Sequence, residues 1–507
     1  MNNCTRDARV LKEAGSLARE GLQVTVVAVF DKATTCLTEE RNGFTIVRVV
    51  RDHIHYKAFR LARIPRKISR KVQRVSKKAI RWSRKQLLRL RNSRMRFRRT
   101  ILDTMSRWQL GAKCFLAHLV PRLGVPTQGD AQGDAQSRKG RTGIGRIAGV
   151  FLLPVLLFRS IALFVSNNGR VAVQLVRSIH STCTSQMHRL LMVFHRSLMF
   201  LDYWGRAYRL ALEEPADVYH AHDLNTLPVA WWAARSLGGK LVYDSHELYT
   251  ETSNLSRRER WTWRQLERFL IRRCDAVITV NDSIAAELQV RYGIPLPTVV
   301  MNCPVISEKV DRTTHLRDAV GVAEDEAIVL YHGGFSAHRG LHNLISAMAL
   351  VPMGKLVMMG WGRIEEELRR FAEAQGLLGT KVFFLPPVSQ EELLSWTASA
   401  DVGVIPYQPV GLNNYYSLPN KLFEYLGAGL PVAVSNLPEL ARVVDTHKVG
   451  YTFNPDDPQD IARAIIQIIG DPGHLAELKK RALAARERFS WQVEERKLLN
   501  IYERLRT

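Results

Sequence analysis

The feature that most restricts the fold of this chain is an alternation. Outside residues 51–204, short β-branched or aliphatic runs follow one another with amphipathic helical patterns between them. The runs fall at 23–30, 217–220, 240–244, 276–280 and 298–301, and again at 327–331, 355–359, 381–385, 402–406 and 431–434. Apolar positions recur at helical spacing over 228–237, 261–273, 283–292, 341–348, 364–375 and 458–469. A helix between two strands lets the second return parallel to the first, so this order predicts doubly wound α/β lobes. At 507 residues the chain exceeds the roughly 250–300 that one core encloses. Two lobes joined near 304–314 are expected, with ligands in the cleft beyond the carboxyl ends of the strands. The stretch 475–505 reads as one long helix, polar on one face, whose tail from 489 either crosses back to the first lobe or caps its own.

The net charge of +25 has a definite location. Residues 51–200 hold 32 Lys and Arg against 4 acidic residues, whereas the rest of the chain holds 41 against 44. From Lys57 to Arg99, basic residues are mixed with Ile, Leu, Val, Trp and Phe, with no acidic residue among them. That pattern suits a basic amphipathic helix lying on anionic lipid. A polar repeat at 128–136 separates it from an apolar run at 147–165, which Pro154 and Arg159 interrupt. A spanning helix needs about 20 mostly apolar residues, so an interfacial or re-entrant hairpin is the expectation. Block 51–204 therefore reads as an insertion that holds the protein on an anionic membrane surface, peripherally or monotopically. Basic stripes with aromatics also bind nucleic acid. That alternative leaves the ordered motifs described below unexplained, and no nucleic-acid partner is expected.

Cys4, Cys36, Cys114, Cys183, Cys274 and Cys303 show no CxxC or regular spacing. They suggest neither a zinc site nor a disulfide framework, and a reducing, cytoplasmic setting fits them best. Residues 1–14 lack the charged start and apolar run of a secretory signal.

Several motifs occur in order, each at a loop following a strand. They are His220-Ala221-His222-Asp223, Tyr243-Asp244-Ser245-His246-Glu247, Gly333-Gly334-Phe335 with Arg339-Gly340, Pro419-Asn420-Lys421-Leu422-Phe423-Glu424-Tyr425, and Gly427-Ala428-Gly429-Leu430-Pro431-Val432. Together they resemble the GT4 family of retaining glycosyltransferases, over most of 1–50 and 210–507. The resemblance implies the GT-B fold, two Rossmann-like doubly wound domains facing a cleft. The acceptor lobe would comprise 1–50 and 205–308, the nucleotide-sugar lobe 309–474, and the terminal helix 475–507. Residues 2–10 resemble the loop and helix after the family's first strand, but the strand itself is missing; a start site placed too late or a truncated gene is the expectation.

The segment Leu418 to Glu424 carries the clearest chemistry. Pro419 suits the first turn of a helix and Ser417 suits its cap. The free amides there, at Asn420 and its neighbours, can hold a diphosphate or a sugar hydroxyl. By resemblance, Glu424 accepts from both ribose hydroxyls of the donor. The family pairs two Glu separated by seven residues; here Tyr416 stands in the earlier place, with Asn413 and Asn414 nearby as substitutes. The Gly333-Gly334 turn with Arg339 reads as a phosphate site, since glycine lets the backbone approach an anion and a cation neutralises it. Two basic residues flank this loop in the family. Gly334 occupies the first position and Arg339 the second, with Lys421 available to supply the other charge. Gly360-Trp361-Gly362 resembles a loop near the base.

In the first lobe, His222 and Asp223 sit just past a strand, where resemblance puts His222 against the donor sugar or the acceptor. His246 and Glu247 shape the acceptor side, Asn302 faces the cleft at the crossing, and Asn281 or Asp282 caps a helix. The implied reaction moves a hexosyl unit from a nucleotide-diphosphate sugar to an acceptor hydroxyl with retention, the acceptor being a glycan or polyprenyl-linked saccharide. His222, Asp223, Arg339 and Lys421 form the catalytic set, and the leaving phosphate takes the acceptor's proton. No cofactor or metal is expected. Asp456, Asp457 and Asp460 have metal-like spacing but open a helix after Pro455 and read as caps. The alternatives are a GT-B membrane scaffold with little or no turnover, suggested by Tyr416, and a GT-B-like epimerase.

Overall fold

A computed structural model describes residues 3–5, 7–31, 35–50, 186, 195–252, 255–306 and 313–506. The basic stretch 57–99, the repeat 128–136 and the apolar run 147–165 lie outside the described residues. Among the described residues, no helix is long and apolar enough to cross a membrane.

The first lobe opens with α1 (Ala8–Arg19), whose N-terminus Asp7 caps by accepting from the Val10 amide. Residues Arg9, Val10, Glu13, Ala14 and Leu17 share one helix face and are buried, charges included. Strands β1 (Thr25–Val29), β2 (Thr38–Arg41) and β3 (Phe44–Val49) form a sheet in the order β1-β3-β2. β2 and β3 are antiparallel across Asn42-Gly43, both at positive φ, as a two-residue hairpin turn requires. There follow α2 (His195–Glu213), β4 (Val218–His222), α3 (Leu227–Leu237), β5 (Lys240–Ser245), α4 (Arg257–Ile271), β6 (Ala276–Thr279), α5 (Asp282–Tyr292) and β7 (Thr298–Val299). Their strands make a parallel sheet in the order β4-β5-β6-β7. The lobe is thus not one doubly wound sheet. Among the described strands the two sheets share no backbone pairing, and side chains make the join.

The second lobe contains α6 (His315–Val320), β8 (Ile328–Gly334), α7 (Leu341–Met348), β9 (Lys355–Trp361), α8 (Glu365–Ala374), β10 (Val382–Leu385), α9 (Leu393–Ala398), β11 (Val402–Ile405), α10 (Leu412–Tyr415), α11 (Asn420–Gly427), β12 (Val432–Ser435), α12 (Pro438–His447), β13 (Gly450–Phe453) and α13 (Pro458–Ile469). Its six parallel strands run β10-β9-β8-β11-β12-β13. Both faces are covered. Leu330, Val357, Val432 and Val434 pack with Leu422, Leu426 and Leu440 on one side, and Val329, Met358 and Ala433 pack with Leu344, Ile465 and Ile468 on the other.

The expected long terminal helix is two helices, α14 (Pro472–Arg486) and α15 (Trp491–Arg506). The break leaves Phe489 buried, 5.3 Å from Phe423. The Trp491 amide then donates to the Pro304 carbonyl at 2.8 Å, and Glu494 accepts from the Met301 amide at 2.8 Å. From there α15 lies on the first lobe, where Trp491, Leu498, Ile501 and Tyr502 pack with Leu17, Val242, Ile278 and Val300.

Candidate active site

On the second lobe, β8 ends in the Gly333-Gly334 turn, and Gly333 has φ +117°, a conformation that a side chain would strain. A Cβ on Gly333 would lie 3.3 Å from Lys421 Nζ, so the α11 lysine stands against this turn. Gly340 closes the same loop at φ +65°, and its Cβ position is only 1.9 Å from the Pro406 carbonyl oxygen, so glycine alone fits. Between them, Arg339 lies over the Tyr407 ring, 3.9 Å from its centroid. Lys421 Nζ lies 3.8 Å over Tyr331 and 5.2 Å from the Tyr407 centroid. Two cations from separate elements therefore converge on one aromatic shelf. Burial, reinforced by Arg339, holds the Lys421 amine well below its usual value. An anion in the turn would restore its charge.

Glu424, one turn after Lys421, has its carboxyl raised by burial against the opposing pull of Lys421 and Lys12. His332 Nε2 lies 3.7 Å from it, and burial together with Lys421 lowers this imidazole to about 3. The turn that presents Glu424 differs from the expectation. Pro419 is the extended N-cap of α11, Asn420 is its first helical residue, and the buried Ser417 hydroxyl has no hydrogen-bond partner. Leu418 is buried beneath this entry.

Of the residues around the absent second Glu, Asn414 donates to the Gln408 carbonyl of its own lobe at 3.4 Å, while Asn413 and Tyr416 face the other lobe. Asn413 donates to Glu247 at 2.7 Å and accepts from the Leu248 amide at 3.0 Å. The Tyr416 carbonyl accepts from Asn281 at 2.8 Å, and its ring packs against the first-lobe core. Tyr416 is thus engaged between the lobes. Asn281 also caps α5, by accepting from the Ile284 amide at 2.8 Å.

On the first lobe, β4 and β5 end side by side, with His222 opposite Asp244 in register. Asp244 is fully buried and holds Arg9 through two contacts of 2.7 and 2.8 Å, while Arg9 also donates to the Val300 carbonyl at 2.7 Å. His246 Nε2 is 3.0 Å from Asp244 Oδ2, and His222 Nδ1 is 3.2 Å from His246 Nε2. Burial opposes a charge on His246, but Asp244 and then Asp223 outweigh it and lift the imidazole to about 9. Burial likewise opposes ionisation of Asp244, and Arg9 and His246 overcome it, leaving the carboxylate well below its usual range. Asp223 takes φ +65°, and Oδ1 accepts from the His246 amide at 3.3 Å.

The site residues thus group on two faces: His222, Asp223, His246 and Glu247 at the ends of β4 and β5, and Gly333, Gly334, Arg339, Lys421 and Glu424 around β8 and α11. Asn302 sits at the crossing between the lobes, its buried Oδ1 without a partner. Three residues of α1 escaped the reading of the sequence: Arg9, Glu13 and Lys12. The Lys12 ammonium donates to the Cys303 carbonyl and lies 4.9 Å over the Trp491 ring, and burial lowers it to about 8. Their one sequence signal is spacing, since Arg9 and Glu13 share a face with Val10, Ala14 and Leu17.

Two facing lobes, one with a cationic glycine turn and a helix-borne carboxylate, make up the GT-B fold, and solved structures share it. Sucrose-phosphate synthase from Thermosynechococcus elongatus superimposes with a TM-score of 0.51 at 22% identity, over 61% of this chain and 78% of that one. The Anabaena protein HepE, in complex with UDP and glucose, gives 0.51 at 20% identity, over 60% and 81%. The family described as "Glycosyl transferases group 1" matches residues 326–471, and "Glycosyltransferase Family 4" matches 171–309. These two glycosyltransferase models match successive stretches of the chain. Among curated relatives, an uncharacterized glycosyltransferase of Methanocaldococcus jannaschii is 29% identical over 37% of this chain, and a glycogen synthase of Mycobacterium tuberculosis is 27% identical over 55%. A D-inositol 3-phosphate glycosyltransferase of Nocardioides sp. is 26% identical over 57% of this chain and 68% of the relative. The chain spans 48% and 66% of the length of the first two.

Proposed function

We propose that this chain is a retaining glycosyltransferase that moves a hexosyl unit from a nucleotide-diphosphate sugar to a hydroxyl of a lipid-linked or cell-envelope saccharide at the cytoplasmic face of a membrane. The observation that carries this reading is the convergence of Arg339 and Lys421 on the Gly333 turn, with Glu424 one helical turn beyond. A diphosphate in the turn would be neutralised by both cations, and Glu424 would accept from the ribose diol. The α11 amides face the same departing charge. His222 and Asp223 stand where the sugar's anomeric carbon and the incoming hydroxyl would meet, and the leaving phosphate oxygen takes that hydroxyl's proton. UDP-glucose, held by HepE in another of its structures, is a donor of this kind.

The membrane part rests on the charge of block 51–204 and on a second surface. Trp232, Trp261, Phe269, Leu201 and Leu212 of α2, α3 and α4 are exposed, and Arg273 lies 3.6 Å over the Phe269 ring. Aromatic and arginine side chains together suit a lipid interface. A panel of nucleotide-diphosphate sugars, tested by calorimetry and for hydrolysis or transfer, checks the donor reading; binding of none would overturn it. Flotation with anionic and neutral vesicles checks the membrane reading. Binding to the anionic vesicles alone, weakened by salt, is the expected result.

A second reading, a GT-B scaffold that binds nucleotide without turnover, draws on Tyr416 and Asn413, whose interlobe bonds occupy the groups nearest the absent Glu. Donor binding with no hydrolysis or transfer would favour it.

A further inference from the structure

His220 and His222 are two residues apart on β4, so both rings lie on one face of the strand. They stack with centroids 4.5 Å apart and planes 16° from parallel. Glu13 of α1 reaches the same place. Its Oε2 is 3.9 Å from His220 Nε2 and 4.0 Å from His222 Nε2, too far for hydrogen bonds. Glu13 is 1% exposed, and neither its carboxylate oxygens nor His220 Nε2 has a hydrogen-bond partner. Oε1 lies 3.0 Å from Arg9 Nε, which leaves Oε2 aimed at the two imidazoles. A buried carboxylate oxygen in that position calls for a positive partner.

The far nitrogens of both rings are already held. Tyr502 OH lies 2.9 Å from His220 Nδ1, while His222 Nδ1 lies 3.2 Å from His246 Nε2 and 3.3 Å from Asp244 Oδ2. Fixing one ring nitrogen by an outer hydrogen bond is how proteins aim the other at a metal ion.

We propose that His220 Nε2, His222 Nε2 and Glu13 Oε2 bind a divalent first-row transition-metal ion of the Zn²⁺ or Co²⁺ type. Nitrogen and oxygen ligands about 2.0–2.2 Å from a shared ion lie roughly 3.3–3.7 Å from one another. The carboxylate separations of 3.9 and 4.0 Å are within a few tenths of an ångström of that spacing, and the stacked, near-parallel rings must turn to bring both in-plane lone pairs onto the ion. Two imidazoles and one carboxylate are a donor set such ions favour. Asp244 belongs to the same cluster, but Arg9, His222 and His246 occupy it, so it orients His222 and balances Arg9. Glu13 then supplies the charge that faces the ion. The His222 side chain is 23% exposed, so the open coordination positions reach the cleft. An ion on His222 Nε2 takes that nitrogen from the sugar, so metal binding lowers transfer.

The test is a Co²⁺ titration of the full chain after chelation, without any sugar donor, read by the visible d–d bands of nitrogen- and oxygen-bound Co²⁺. One ion per chain, displaced by Zn²⁺, is expected. Glu13→Gln should weaken uptake by at least about 100-fold. Tyr502→Phe leaves the ligands in place and removes only the hydroxyl behind His220, and should weaken uptake about 10–100-fold with an unchanged thermal transition. No Co²⁺ spectrum, or equal affinity in both variants and the native chain, would overturn the site. Neither outcome depends on whether the chain transfers sugar.

Discussion

The two lobes solve one architectural problem by different means. The second has a single six-stranded parallel sheet with apolar cores on both faces, and its cations lie on aromatic rings beside a glycine turn. The first has its strands in two sheets, and the connection between them runs through buried charges: Arg9 on Asp244 and on the Val300 carbonyl, with Glu13 behind. The Arg9–Asp244 pair of the first lobe is therefore structural, whereas the cations of the second lobe stand in reserve for a ligand.

Breaking the buried pair should produce the largest effect. Arg9→Met strips the buried Asp244 of its guanidinium and leaves it only His246 and His222, which is expected to lower unfolding stability by about 3–5 kcal/mol in urea titrations. Lys421→Met removes a buried amine already held below its usual value, so it should leave the urea midpoint in place while weakening nucleotide-diphosphate binding about 10–100-fold. Equal destabilisation by the two variants would erase the contrast between the lobes.

The next effect is the pH dependence that His246 gives the first lobe. His246 is raised in the folded state from 6.5 to about 9. Its contribution is fully present below pH about 6.5 and is lost as pH rises through about 9, on the order of 2–3 kcal/mol in total. Lys12 and Lys421, lowered by burial, add stability as pH rises over the same range, so the readout is the difference between native chain and His246→Gln from pH 6 to pH 10, which should shrink through about pH 9. Parallel profiles would rule out the Asp244–His246 interaction.

Glu424→Ala is expected to weaken nucleotide binding by about 1.5–3 kcal/mol in calorimetry, the loss of a charge-assisted hydrogen bond. Unchanged affinity would sink the ribose role of Glu424. The smallest effect is a null one: transfer should persist in EDTA, since the two cations and the helix amides suffice for the leaving diphosphate. Loss of activity restored by Mg²⁺ would contradict that mechanism.

The second lobe is the more legible in sequence because its strands are buried on both faces and read as continuous apolar runs. Its outermost strand, β13, escapes that reading because Gly450-Tyr451-Thr452-Phe453 lacks an aliphatic run and is mostly half-buried. In the first lobe, Phe44–Val49 alternates, but its buried face includes Arg48, whose guanidinium donates to the Asn3 and Cys36 carbonyls and defeats the apolar pattern. The site divides likewise. Gly333, Arg339, Lys421 and Glu424 are marked by glycine and loop chemistry, whereas Arg9 and Glu13 are charges on the apolar face of α1 with no motif around them, and Lys12 looks like any helix lysine. Only tertiary packing turns them inward.

The two helices that replace the expected long one have a mechanical consequence. The chain passes between the lobes twice, once after Val300 and once before Trp491, and the Trp491 amide bonded to the Pro304 carbonyl ties the two passages together. Two adjacent tethers allow rotation about the line through them and resist sliding or twisting. Away from that line, Asn413 on Glu247, Asn281 on the Tyr416 carbonyl and the Ser283 amide on Glu439 bridge the lobes. Opening the cleft means breaking these bonds, while Glu494 and Pro304 lie near the axis, where displacement is least.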